Sequence, residues 1–181
     1  MDWMRANALE ETVFHDYENA QLSIGDSDYH VIILRDPYNW AASWWHSTQW
    51  LGAKIRESRF EQWVAIWKEH AIECLAEESK FIPVSYNAWF TSSEYRTRVA
   101  AKLNLSTEDK RVNTVRSGSS WDGKQFDGRA QDMRVLCRWE NMRDDPAWQK
   151  VALDPEIQRL AEKLFDLTVS SNPLTIHAFC V

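Results

Sequence analysis

The sequence predicts an α/β fold, a mainly parallel sheet flanked by helices. Two aliphatic runs, Val31–Leu34 and Phe81–Tyr86, have the length and composition of buried strands and are bounded by polar residues. Segments with helical periodicity lie between and after them, and strands alternating with helices are the pattern of crossover-connected parallel strands. The chain has 181 residues, so a single domain over 1–181 is the expectation.

Taken in order, residues 5–11 read as a short helix and Thr12–His15 as a short strand, followed by a polar loop through Asp28. The strand at 30–35 ends in Arg35. Asp36 suits a helix N-cap, and Pro37 suits the first helical position, where no N–H is needed. That helix runs to about residue 50 and breaks near Gly52. A second helix, over about 58–77, repeats Phe60, Trp63, Val64, Trp67, Ala71, Cys74 and Leu75 at helical spacing, and this stripe reads as core. After the strand at 81–86, Thr91 or Ser92 caps a helix in which Tyr95, Val99 and Leu103 recur. Residues 104–129 form a long polar, Gly/Ser-containing segment, and such loops in compact domains are usually functional or disordered. Helices are expected over about 130–142 and 155–165, the latter with Ile157, Leu160, Ala161 and Leu164 on one face. Beyond Asn172-Pro173 the expectation is irregular chain or a short strand at 174–180. No internal repeat or low-complexity tract is present.

Hydrophobic residues make up 44% of the chain, enough for an ordinary core, and the 11 tryptophans point to a heavily aromatic interior. The formal net charge of −6 argues against broad nucleic-acid binding while leaving room for a local basic pocket. Cys74, Cys137 and Cys180 are far apart and show no metal-like spacing, which fits a reducing compartment better than a disulfide framework. The first residues lack the basic and apolar regions of a signal peptide, and no apolar stretch reaches the ~20 residues of a membrane span. A cytoplasmic protein is therefore expected, with no membrane or nucleic-acid partner and with self-association left open.

The segment Val31-Ile-Ile-Leu-Arg-Asp-Pro-Tyr-Asn-Trp-Ala-Ala-Ser43 carries the clearest chemistry. A guanidinium at the carboxyl end of a buried strand, beside a helix N-terminus, suits an anion. Alone, the junction could also be an ordinary strand–helix turn with a solvated arginine. Arg-Asp-Pro followed by Ser at this spacing resembles the nucleotide-binding segment of the sulfotransferase family. The resemblance implies a P-loop NTPase-like sulfotransferase fold and the co-substrate 3′-phosphoadenosine 5′-phosphosulfate, with no metal. It further implies that Arg35 and Ser43 hold the 3′-phosphate.

Three further segments extend the resemblance. Pro83-Val-Ser-Tyr-Asn87 is similar to the family's strand ending in Tyr-Glu-Asp, which implies Tyr86 near the adenine; Asn87 and Ala88 depart from the acidic pair. Arg116-Ser-Gly-Ser-Ser-Trp-Asp-Gly123 resembles the late loop that closes over the 3′-phosphate with Arg-Lys-Gly, so Arg116 and Gly118 carry over while Ser117 replaces the lysine. Val13-Phe-His-Asp-Tyr-Glu18 stands where family members place the base that takes the acceptor's proton; His15 is the first candidate and Glu18 the second.

The family's opening strand and Ser/Gly/Thr-rich phosphate loop have no counterpart before Arg35. None of the five glycines, 25, 52, 118, 123 and 128, lies in that context, and no GxxxxGK[ST] element occurs. The fold is therefore expected to be incomplete at its N-terminus. Three readings follow. The first is a weakly active sulfotransferase moving a sulfuryl group to a hydroxyl or amine of a small-molecule or glycan acceptor that the sequence does not name. The second is a non-catalytic remnant serving as a nucleotide-binding or interaction module. The third, a nucleotide kinase, is disfavoured by the missing loop and by the lack of a recognisable Mg²⁺ carboxylate at a strand end.

Overall fold

A computed structural model describes Met4, Asn7, Ala8 and Leu22, and residues 25–108, 134–171 and 174–177. The chain divides into two compact units, Met1–Gln21 with Ala88–Met133, and Leu22–Asn87 with Arg134–Val181. The expected strand at 12–15, nearly all of the expected helix at 5–11, and most of the polar loop lie outside the described residues.

In the second unit, β1 (His30–Leu34) pairs in parallel with β2 (Phe81–Ser85). The connection between them carries α1 (Pro37–Ser47) and the 23-residue α2 (Ala53–Leu75), which packs on both strands. Parallel neighbours require such a crossover, and it takes its expected form here. The second helix starts earlier than its aromatic stripe, just after Gly52, because the exposed first turns are polar and carry no periodic signal. The predicted core stripe holds at Phe60, Trp67 and Ala71, all buried.

Beyond residue 134 come a 3₁₀ turn (Arg138–Met142), α5 (Pro146–Ala152), α6 (Pro155–Phe165) and an antiparallel hairpin of β3 (Thr168–Ser171) and β4 (Leu174–His177). The described fold is thus mixed α/β with one two-stranded parallel sheet and one two-stranded antiparallel sheet.

Helices α1, α5 and α6 all begin at Asp-Pro. Asp36, Asp145 and Asp154 are N-caps whose carboxylates accept from backbone N–H groups of the first turn, and each following proline occupies a position that needs no donor. The same signature that marks α1 therefore marks α5, which the hydrophobic periodicity misses because the helix has only 7 residues.

An α-helix over 130–142 does not form within its described part. Such a helix would use the carbonyls of Val135 and Leu136 for its own ladder. Here Arg35 Nη2 donates to the Val135 carbonyl and Asn39 Nδ2 to the Leu136 carbonyl, so only the 3₁₀ turn remains. Tyr86 likewise opens the short α3 (Tyr86–Thr91) rather than ending β2.

In the first unit, α4 (Ser93–Lys102) is capped by Ser92, whose Oγ accepts from the Tyr95 N–H at 3.1 Å. Arg96, buried, donates to the Trp89 carbonyl at 2.7 Å, and the Ser106 N–H donates to the Asn7 carbonyl at 2.7 Å.

Among the described cysteines, Cys74 is a free thiol and Cys137 is disulfide-bonded, which departs from the expectation of reduced cysteines throughout. No helix among the described residues is long and apolar enough to cross a membrane.

Asp154 joins two elements, capping α6 and accepting from Lys68 Nζ of α2 at 2.8 Å. Burial alone would raise the Asp154 carboxyl, but the Lys68 bond and the helix N–H groups hold it below the ordinary 3.8. Burial would lower the Lys68 ammonium, but its bonds to Asp154 and Glu156 hold it above 10.5. Asp154→Ala is expected to cost about 1–2 kcal/mol at neutral pH, read as a lower Tm. The signs of the two shifts set the pH dependence. Asp154 contributes stability above the ordinary carboxyl range, lost as pH falls through its depressed value. Lys68 contributes below its ordinary value, lost as pH rises through its raised one. The Tm difference between wild type and Asp154→Ala should therefore shrink towards pH 2. A difference that stays constant down to that pH would contradict the ion pair.

Candidate functional site

The register of the parallel pair builds the site. Leu34 stands opposite Ser85, so the two strands end flush and the next residues of each chain meet in order. Arg35 meets Tyr86, with its Cζ 5.4 Å from the ring centroid, a cation–π contact. Asp36 meets Asn87 through two hydrogen bonds, from the Asp36 N–H to Asn87 Oδ1 at 3.2 Å and from Asn87 Nδ2 to Asp36 Oδ2 at 2.9 Å. From below, Trp67 of α2 donates its indole N–H to the Arg35 carbonyl at 2.9 Å.

The Arg35 side chain reaches back over α1. Its Nη1 donates to Ser43 Oγ at 2.9 Å, and its Nη2 donates to the Val135 carbonyl. Arg138 Nη1 donates to the same Ser43 oxygen at 3.0 Å. The Ser43 hydroxyl donates its own hydrogen bond to the Asn39 carbonyl, 2.8 Å away and one helical turn back, so its lone pairs are left for the guanidiniums.

Two cationic side chains thus converge on the Ser43 oxygen, and among the described residues no carboxylate bonds to Arg35. Burial lowers the Arg35 guanidinium below its ordinary value, while the Asp36 charge and Tyr86 act in the opposite sense. It remains a cation, since arginine does not deprotonate in proteins. Arg35 Nε is buried with no hydrogen-bond partner among the described residues. A half-buried cation with an orphan donor, beside a second guanidinium, is suited to a phosphate or other oxyanion.

Beneath the arginines lies an amide-lined carboxylate. Asp36 is fully buried, and its oxygens accept from the Asn39 N–H at 2.8 Å, from Asn39 Nδ2 at 3.1 and 3.2 Å, and from Asn87 Nδ2 at 2.9 Å. Asn87 both accepts from the Asp36 N–H and donates to its carboxylate, which an ionised Asp or Glu could not do.

Of the residues expected from sequence, Arg35, Ser43 and Tyr86 come together. His15, Glu18, Arg116 and Gly118 lie outside the described residues. Sequence reasoning missed Arg138 and Asn39. Neither is marked by spacing, because Arg138 approaches across 95 residues and Asn39 looks like any polar residue in the first turn of a helix. Among the described residues, no three His, Cys, Asp or Glu side chains group as metal ligands.

Asn87→Asp would place a second carboxylate against buried Asp36. The expected loss is about 3 kcal/mol, a Tm drop of about 6–12 °C at pH 7, relieved as pH falls and the pair takes up a proton. An unchanged Tm would show that Asn87 does not hold Asp36 in solution. In comparisons with known proteins, no family model, no curated protein and no solved structure matches this chain.

Proposed function

We propose that this protein binds the 3′-phosphate of an adenosine 3′,5′-bisphosphate through Arg35 and Ser43, and that it is a sulfotransferase-like protein of the P-loop α/β class. One observation carries the reading. The strand-end arginine and the helix serine, singled out from sequence, meet at 2.9 Å with an orphan guanidinium donor beside them. Tyr86, whose ring lies against Arg35, would contact the adenine.

The co-substrate, 3′-phosphoadenosine 5′-phosphosulfate, would supply the activated sulfuryl group. Arg35 and Ser43 would anchor its far phosphate, and Arg116 and Gly118 would close over it as the family resemblance implies. His15, or in its place Glu18, would take the proton from the acceptor hydroxyl or amine. Anchoring one end of a reactant in this way removes translational and rotational freedom before the chemical step. A cytoplasmic location and a small-molecule or glycan acceptor belong to the same proposal, and transfer by this route uses no metal.

A second reading is a nucleotide-binding module with little or no transfer activity, built on the same Arg35–Ser43 pair. Radiolabel transfer to a panel of phenols, sugars and amines separates the two. Turnover well below ~1 s⁻¹ with tight bisphosphate binding favours the module, and turnover at or above that figure favours the enzyme.

Arg35→Ala is expected to weaken binding of adenosine 3′,5′-bisphosphate by about tenfold or more, with little change for adenosine 5′-monophosphate, because a charged hydrogen bond to phosphate contributes about 1.5–3 kcal/mol. Calorimetry with both ligands is the measurement. Equal losses for the two would show that Arg35 does not read the 3′-phosphate.

A further inference from the structure

We propose that the turn between α1 and α2 docks on the surface of an anionic phospholipid membrane, with Trp50 seated among the headgroups. The inference is independent of the nucleotide reading and uses none of its residues.

Trp50 is 78% exposed, the most of any large apolar side chain among the described residues. A solitary exposed apolar residue needs no explanation, but this one has company. Leu51 is half-buried and Ile55 is 54% exposed. The turn that carries Trp50 is closed. The Leu51 N–H donates to the Thr48 carbonyl at 2.9 Å, which puts Trp50 at the third position of a four-residue turn. Behind it, Trp40, Trp44 and Trp45 of α1 all pack against Phe60 of α2 and fix the base of the turn. Their indoles serve the packing of the two helices, and that of Trp50 is left to solvent.

Charge selects the occupant. The chain has a formal net charge of −6, yet over residues 37–60 three cations, Lys54, Arg56 and Arg59, stand against a single carboxylate, Glu57. Arg56 is turned inward, over the Trp45 ring and onto the Trp45 carbonyl. Lys54 and Arg59 are exposed. Arg59 follows Ile55 by four residues and shares its face of α2, whereas Glu57 lies about 200° around the helix from Ile55. The positive end of the 23-residue α2 is at the same place. Gly52 gives it no side-chain cap, and its first turn holds no acid. An indole and two aliphatic side chains suit the boundary between headgroups and acyl chains, while the two cations and the helix end suit the lipid phosphates. A second copy of this chain is a poorer occupant, because a symmetric pairing of the patch would bring its cations together. A peripheral contact of this kind needs no membrane-spanning segment.

Flotation of the whole chain with vesicles is the test, using phosphatidylcholine alone and equal parts of phosphatidylcholine and phosphatidylserine. Binding is expected to the mixed vesicles and not to the neutral ones, and it should fall at high salt. Trp50→Ser should weaken it about tenfold or more, and Lys54→Ala and Arg59→Ala about fivefold each. Phosphatidylcholine brominated along its acyl chains, placed in the mixed vesicles, should quench part of the tryptophan fluorescence. Trp50→Phe keeps an apolar ring, so this variant should stay bound and lose that quenching. No binding to the mixed vesicles, equal binding to the neutral ones, or quenching that survives Trp50→Phe would each overturn the proposal. A dimer in sedimentation that Trp50→Ser dissociates would assign the patch to a second copy and overturn it as well.

Discussion

The second unit depends on one buried charge. Asp36 is fully inaccessible, yet the hydrogen bonds to its carboxylate all come from amides, those of Asn39 and Asn87, and none comes from a guanidinium. A buried carboxylate costs several kcal/mol to desolvate unless hydrogen bonds replace its water. Had an arginine filled that role, the cation would have been neutralised in a bidentate pair. Because amides fill it, Arg35 donates instead to the neutral Ser43 hydroxyl and to the Val135 carbonyl. The Asp36 charge still acts through space, opposing the effect of burial on Arg35. The Asp36 carboxylate is thus held by amides beneath Arg35.

The same carboxylate ties three stretches of chain that are distant in sequence. Asp36 caps α1, Asn87 brings the end of β2, and Asn39 carries the tie onward to Leu136 and Trp139. The flush register of β1 and β2 makes the first of these meetings unavoidable, and the conversion of the 135–139 backbone from helical ladder to ligand of side chains makes the last possible. Order in the site and order in the fold therefore have a common origin, and substitutions in this cluster are expected to couple.

The tryptophans serve this arrangement with their N–H groups as much as with their area. Trp67 holds the Arg35 carbonyl, Trp148 donates to the Tyr38 carbonyl at 2.9 Å, and Trp45 donates to Asp145, the cap of α5, at 2.8 Å. Trp139 and Trp148 stack with centroids 6.4 Å apart. Trp45, Trp67 and Trp148 each combine a large apolar body with one directed donor, which suits positions where a helix must be fixed against a polar chain end.

Local signals in the sequence determined the elements around the site. The Val31–Leu34 run and the Asp-Pro step declared β1, its end and the start of α1, because strand burial and helix capping are read over a few residues. Arg35 was marked by the same local signals, as the strand-end cation beside a helix start, whereas its pairing with Ser43 came from the resemblance of this short segment to a known one. Tertiary structure decided what lay beyond that range. Whether 135–139 would be helix was settled by Arg35 and Asn39 capturing its carbonyls, and the choice of Asn at 87 makes sense only once Asp36 is seen against it. Arg138 joined the site across 95 residues of chain, through hydrogen bonds whose partners no local periodicity can name.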